Sequence, residues 1–281
     1  MVINKNIVLQ GPHNKPILTD VFYNANTSKK PIVIFCHGYK GFKDWGAWDL
    51  MAQAFANRDI FFIKFNFSHN GTTINSPTEF EDLEAFGQNN YVKELDDLAH
   101  VMNWVTTNPD FKEEADSLNL NIIGHSRGGG IAIIKAEEDS RIKTIISLAG
   151  VSDYGKRFAN LGDLKTWKNT GVTYVINGRT KQHMPHYYQF YTTYLQHENR
   201  LNIKRAAKHL NKPFLIIHGD NDTSVLIEEA HNLHLWNPQS ELKIIKNANH
   251  VFEASHPWIQ SNMPKQLTEV VEIVVAFIRK T

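Results

Sequence analysis

Short, largely apolar runs rich in β-branched residues recur along this chain, and the stretches between them carry apolar residues at helical spacing. The runs cover residues 32–36, 60–65, 118–123, 144–148, 214–217 and 242–245. Each is of strand length and too short for a surface helix, and apolarity without alternation implies a strand covered on both faces. Helical patterns fill residues 48–56, 91–105, 129–137 and 226–235. Buried strands joined by helices fit a mostly parallel central sheet with helices on both faces, an α/β architecture. Ahead of it, residues 6–9 and 18–23 flank Gly11-Pro12-His13-Asn14, which predicts a hairpin at the sheet edge. At the far end Leu267, Val270, Val271, Val274, Phe277 and Ile278 repeat at spacings of three and four, the apolar face of a docking helix.

The rhythm breaks once. Between residues 150 and 213 the chain is far longer than one crossover helix needs, so a subdomain is inserted there. The expected organisation is a core of residues 1–151 and 206–281 with a cap, residues 152–205, standing over the carboxyl ends of the strands. Open α/β sheets bind their ligands at that edge. Within the cap, Asn177-Gly178 between residues 172–176 and 179–183 predicts a tight hairpin, and residues 187–195 predict a helix. Trp167, Tyr174, Tyr187, Tyr188, Phe190, Tyr191 and Tyr194 either line a substrate pocket or form the cap's own core.

The clearest chemical signal is Gly124-His125-Ser126-Arg127-Gly128, set between a strand and a helix. A serine on so sharp a turn needs small residues two before and two after it, because side chains there would strike neighbouring backbone. The turn lifts the serine hydroxyl clear of the sheet and aims the first helical amides at the space above it. A hydroxyl is a weak nucleophile near neutral pH, so Ser126 needs a histidine base and a carboxylate to orient that base. The carboxylate assigned is Asp222, in the loop after the strand at 214–217, with Asp220 and Asp153 as rivals. The base assigned is His250, after the last strand, with His256 as the alternative. His69, His209 and His231 read as surface or packing residues.

The negative oxygen of a tetrahedral intermediate must meet fixed donors, each worth about 3 to 4 kcal/mol. The backbone N–H groups of Tyr39, in His37-Gly38-Tyr39-Lys40-Gly41, and of Arg127 are assigned that substrate-binding role. Arg127 places a cation at a helix amino terminus, against the helix dipole. A compensating carboxylate is therefore expected from the loop with Glu79, Glu81 and Asp82 or from the cap, unless solvent alone screens the charge.

Composition excludes other classes. Lys plus Arg number 30 against 29 Asp plus Glu, without a basic stripe, so a nucleic-acid partner is not expected. The first residues lack the apolar core of a secretory signal, and no stretch is long and apolar enough to span a membrane; a soluble, cytoplasmic protein without a membrane partner is expected. The lone Cys36 lies in an apolar run and reads as a small buried hydrophobe. No His-Glu-x-x-His occurs, and His183 with His186 lacks a carboxylate companion, so neither a metal nor another cofactor is expected. The expected partner is a small-molecule ester; a homodimer is compatible with the composition.

With these motifs in order, nearly the whole chain resembles the α/β-hydrolase superfamily, and within it the capped serine carboxylesterases that include feruloyl and cinnamoyl esterase-like members. The resemblance rests on His37-Gly38-Tyr39-Lys40-Gly41-Phe42-Lys43-Asp44, Phe65-Asn66-Phe67-Ser68-His69-Asn70-Gly71, the Ser126 pentapeptide with Gly129, His218-Gly219-Asp220-Asn221-Asp222 and Asn249-His250. It implies an α/β-hydrolase fold, an oxyanion hole and the triad Ser126, Asp222 and His250. The chain departs from the family where Phe-Asp-Phe-x-Gly-His-Gly is usual and where Arg127 replaces the commoner Gln or Met. Hydrolysis of a small carboxylic ester through an acyl-enzyme is the leading expectation. A peptidase or thioesterase with the same triad, or a ligand-binding receptor on the same scaffold, is the alternative.

Overall fold

Ten strands and nine α-helices are present among residues 1–26 and 28–281, which this computed structural model describes. The strands are β1 (Val2–Gln10), β2 (Pro16–Tyr23), β3 (Lys30–Cys36), β4 (Phe61–Phe65), β5 (Ala115–His125), β6 (Ile142–Leu148), β7 (Val172–Ile176), β8 (His183–Tyr187), β9 (Phe214–Gly219) and β10 (Glu241–Ile245). The helices are α1 (Trp48–Ala56), α2 (Leu83–Gly87), α3 (Tyr91–Thr107), α4 (Arg127–Glu138), α5 (Leu164–Thr170), α6 (Gln189–Gln196), α7 (Ile203–His209), α8 (Ile227–Trp236) and α9 (Lys265–Lys280).

Eight strands form one sheet in the order β1-β2-β4-β3-β5-β6-β9-β10. β1 and β2 enter antiparallel and β3 through β10 of this sheet run parallel, so the expected hairpin edge and parallel centre are both present. Alternation inside β3 explains why its residues 32–36 are uniformly apolar. Ile32, Ile34 and Cys36 enter the hydrophobic cluster that holds α3, α4, α7 and α8, whereas Val33 and Phe35 enter the one that holds α1 and α9. The six apolar residues of the α9 stripe are all buried against the second face.

β5 starts at Ala115, three residues ahead of its apolar run, because Lys30 and Pro31 of β3 pair with Ala115 and Asp116. The polar stretch there hid the strand, and Leu118, where the run begins, is largely exposed. Register places Cys36 opposite Gly124 and Ile245 opposite Gly219. The loops after β3, β5, β9 and β10 therefore leave from one edge of the sheet.

Between β6 and β9 the chain forms a short 3-10 segment (Gly155–Leu161), α5, the two-stranded β7–β8 sheet, α6 and α7. The Asn177-Gly178 turn is a correction to the sequence reading. β7 pairs with β8 from Ile176 opposite His183, leaving a six-residue loop, 177–182, instead of a two-residue turn. The Asn177 side chain accepts from the amides of Arg179 and Thr180, and Lys181, not Gly178, takes the left-handed conformation at φ 61°. A type I′ turn needs positive φ at both central residues; an Asx-capped wider loop does not.

Most of the segment's aromatic residues pack inward. Trp167 and Phe190 are buried in the same cluster as α3 and α4, with Tyr188, Tyr191 and Tyr194 against it, while Tyr174 is exposed. Tyr91 of α3 stacks on Tyr154 at 3.8 Å between ring centres, which joins the segment to the sheet's helical layer. Among the described residues no helix is long and apolar enough to cross a membrane.

Candidate active site

Ser126 sits between β5 and α4 at φ 56°, ψ −118°, a region that only glycine occupies without strain. Three backbone hydrogen bonds hold it there: its amide donates to Leu148 (2.9 Å), and its carbonyl accepts from Gly129 (3.0 Å) and Val151 (3.1 Å). The two flanking glycines are required by close approach. A Cβ on Gly124 would lie 2.1 Å from the Gly128 carbonyl oxygen, and one on Gly128 would lie 2.4 Å from that of Cys36. No real Cβ tolerates either contact.

Asp222 and His250 come together. His250 Nδ1 is 2.7 Å from a carboxylate oxygen of Asp222, and the other oxygen accepts from the amides of Ser224 (2.8 Å) and Val225 (2.9 Å). Burial alone would raise the Asp222 pKa. Hydrogen bonds from His218 and His250 outweigh that cost and hold the carboxyl well below the usual carboxylate range. His218 Nε2 lies 3.2 Å from the same carboxylate and donates to the Val225 carbonyl at 2.8 Å.

The rival residues are engaged elsewhere. Asp220 accepts from the Asn247 amide (2.6 Å) and Asp153 from that of Lys156 (3.2 Å). His256 accepts from the Gly46 amide (3.0 Å) and packs along Trp45.

Ser126 and His250 line the same two cavities, one of about 350 Å³ and one of about 140 Å³. Among the described residues no hydrogen bond joins Ser126 Oγ to His250. Such pairs are often loose before a substrate closes them. The backbone N–H groups of Tyr39 and Arg127 donate to no protein acceptor among the described residues. Gly38 brings the Tyr39 loop against Ser126, since a Cβ on it would lie 2.9 Å from Ser126 Cβ.

Several supporting residues were not legible in the sequence. His125 Nε2 donates to the His250 carbonyl at 2.8 Å, tying the two loops together. Burial and the neighbouring His250 push the His125 pKa down to about 3, so it is neutral and keeps the Nε2–H tautomer that this bond needs. His37 Nδ1 donates to the Gly38 carbonyl (2.9 Å) while its Nε2 accepts from the Phe67 amide (3.2 Å); burial lowers its pKa to about 4.

Further along that loop, Lys43 and Lys64 donate to the buried Asp20 at 2.9 and 2.7 Å. Asp20, Asp44 and Asp49 cluster closely enough for a metal, but these two ammonium groups already supply the cation. The network pins the loop that carries Tyr39. A lysine two residues beyond a glycine turn, in Gly41-Phe42-Lys43-Asp44, was the available signal.

The partner of Arg127 corrects the sequence reading. Its Nη1 lies 3.3 Å from Glu94 of α3, and neither the Glu79–Asp82 loop nor the inserted segment supplies an acid. Those acids are committed elsewhere: Glu79 pairs with Arg179 (3.2 Å), Asp82 caps α2 through the Ala85 amide (2.9 Å), and Glu81 accepts from Thr73 (3.4 Å). Glu94 recurs on the buried face of α3, where sequence spacing alone marks it as an ordinary helix residue. Burial raises the Glu94 pKa, against the pull of Arg127 and of Asn89, which donates to it at 2.8 Å. The Arg127 guanidinium lies 4.3 Å from the centre of the Tyr39 ring, 5.2 Å from that of Tyr91 and 5.4 Å from that of Phe190.

Among the aromatic residues expected to form the pocket, only Phe190 lines the larger cavity; Phe158, Leu161 and Val175 join it there. Tyr39 is linked to the segment by a 2.7 Å hydrogen bond between its hydroxyl and His186 Nε2.

A mostly parallel eight-stranded sheet with a strained serine on the turn after a central strand defines an α/β-hydrolase fold. Residues 31–208 match the sequence profile of the alpha/beta hydrolase fold family, and the chain belongs to that family. Its backbone is similar to Est1E from Butyrivibrio proteoclasticus, solved with ferulic acid bound, at a TM-score of 0.73 and 16% identity over 98% of both chains. It is also similar to the esterase domain of a Rhodothermus marinus protein (TM-score 0.66, 16% identity, 100% of this chain and 99% of that one). A puromycin-hydrolyzing peptidase from Mycobacterium tuberculosis aligns over 100% of this chain and 39% of its own (TM-score 0.66, 18% identity). No curated protein sequence matches the chain.

Proposed function

We propose that this protein is a serine hydrolase that cleaves a small carboxylic ester through an acyl-enzyme intermediate, with residues 152–205 acting as its cap. The observation that carries the reading is the 2.7 Å contact between His250 Nδ1 and a buried, ionised Asp222, with His250 and Ser126 on the wall of the same cavity. Ser126 Oγ attacks the ester carbonyl as His250 Nε2 takes its proton, and the oxyanion meets the N–H groups of Tyr39 and Arg127. His250 returns the proton to the departing alkoxide. It then removes one from water, which attacks the acyl-enzyme and releases the acid with Ser126 restored. Asp222 stays ionised throughout and balances the imidazolium.

Support for an ester, as against another acyl compound, comes from esterase neighbours of the same fold, Est1E among them. The test is hydrolysis of p-nitrophenyl butyrate under pre-steady-state conditions. A burst of one p-nitrophenol per chain followed by slower turnover is expected, and its absence together with unchanged turnover in Ser126→Ala would remove the reading.

A further inference from the structure

The wall of the 350 Å³ cavity carries three cations, Lys40, Arg127 and Arg157, and no Asp or Glu. Two of them have carboxylate partners, but those lie behind the wall. Glu94 holds Arg127 from α3, and Glu229 holds Arg157 from α8; neither acid lines the cavity. Lys40 has no carboxylate within ion-pair distance and no hydrogen-bond acceptor among the described residues; its ammonium lies 5.0 Å above the Tyr39 ring. Apart from His250, the rest of the wall is tyrosine, serine, asparagine and apolar side chains, and His186, behind Tyr39, is kept neutral by burial and by Arg127 and Lys40, with its pKa lowered to about 3.

Two further observations make this an arranged set. Lys40 occupies the left-handed region at φ 54°, where a lysine costs about 1 kcal/mol relative to a glycine. The chain therefore keeps a strained side chain at a turn that glycine would satisfy. Arg127 spends one of its five N–H donors on Glu94, and aromatic rings fix its plane. Its side chain keeps 13% of its surface accessible, and that surface is cavity wall. A fixed guanidinium with free donors is the usual receptor for a planar carboxylate. A cation–π clamp between core and segment would account for Arg127 but for neither Lys40 nor Arg157.

We propose that the substrate is an ester bearing a carboxylate on the group that enters this cavity, held by Arg127 and Lys40 with Arg157 completing the positive wall. The proposal rests on the ester-hydrolase reading and names its substrate class.

The experiment uses the full chain and matched ester pairs differing in one charge. With the charge on the acyl side, p-nitrophenyl hemiglutarate is compared with p-nitrophenyl pentanoate. With the charge on the alcohol side, carboxymethyl butyrate is compared with propyl butyrate by pH-stat. The anionic member of one pair should show a kcat/KM about tenfold higher or more, as hydrogen bonds to charged groups imply. That ratio should fall several-fold in Lys40→Met, in Arg127→Gln and with added salt. Ratios at or below one in both pairs, or a ratio unmoved by Lys40→Met and Arg157→Gln, would overturn the proposal while turnover of the neutral esters leaves the ester-hydrolase reading standing.

Failure to hydrolyse any ester would instead remove that reading. The anion site is then read without turnover, by calorimetric titration of glutarate into Ser126→Ala beside 1,5-pentanediol. Glutarate binding that Lys40→Met weakens supports the site, and no preference over the diol overturns it. Should Arg127→Gln fail to fold because Glu94 is left buried alone, the Lys40 and Arg157 variants carry the comparison.

Discussion

The surroundings of Ser126 and the segment from residue 152 to 205 meet across one cavity, but they are built by different means. Around Ser126 the geometry belongs to the backbone: two glycines demanded by contacts of 2.1 and 2.4 Å, a strained φ, and a carboxylate gripped by two amides. On the segment's side it belongs to side chains, chiefly Phe158, Leu161, Val175 and Phe190, on elements whose turns leave room for change. A reaction needs atoms fixed to a fraction of an ångström, which backbone constraints provide. Substrate choice needs a surface that can vary without disturbing them.

The largest effect is expected from Asp222→Asn. It should lower kcat on an activated ester about 10⁴-fold with the fold intact, because the imidazole loses its orienting charge. A loss of only a few-fold would mean that the core side is not the rigid partner described. Next in size, His125→Phe removes the donor to the His250 carbonyl and should lower kcat by about 10²-fold with little change in KM. Equal falls in kcat and rises in KM would move His125 from positioning the base to general packing.

Two glycines sharpen the contrast in stability. Gly124→Ala should cost about 3 kcal/mol, since its Cβ can be admitted only by moving the Ser126 turn, and chemical denaturation reads the loss. Gly178→Ala in the segment meets nothing within 4 Å and should stay within about 0.5 kcal/mol of the parent.

The last effect concerns pH. His186 is neutral when folded, with a pKa lowered from 6.5 to about 3 by burial and by Arg127 and Lys40. Between those values the unfolded chain binds a proton that the folded one refuses, so stability falls as pH drops from about 6.5 to 3. His186→Phe should flatten that slope by up to about 1.4 kcal/mol per pH unit. Denaturation midpoints at pH 7 and pH 5 measure it; parallel slopes for both proteins would show that His186 is charged or solvated in the folded state.

The sheet was legible because both of its faces are buried, so β3 and β9 carry unbroken apolar runs and β4 is interrupted only by Lys64. The Ser126 turn was legible for a related reason: close backbone contacts leave glycine as the only residue allowed. Polar contacts made across long sequence separations left no local trace. Glu94 under Arg127, His125 under His250 and His186 on Tyr39 all sit on elements whose spacing has ordinary explanations. The tight Asn177-Gly178 turn failed because Asn177 can also cap a wider loop with its side chain, and pairing distant residues decided which.

Treating the protein with a fluorophosphonate and locating the adduct by intact-protein and peptide mass spectrometry asks whether Ser126 is the covalent nucleophile. One adduct per chain is expected, on Ser126, formed in parallel with loss of esterase activity and absent from Ser126→Ala. An adduct on another residue, or full activity in a protein whose Ser126 is modified, would contradict it.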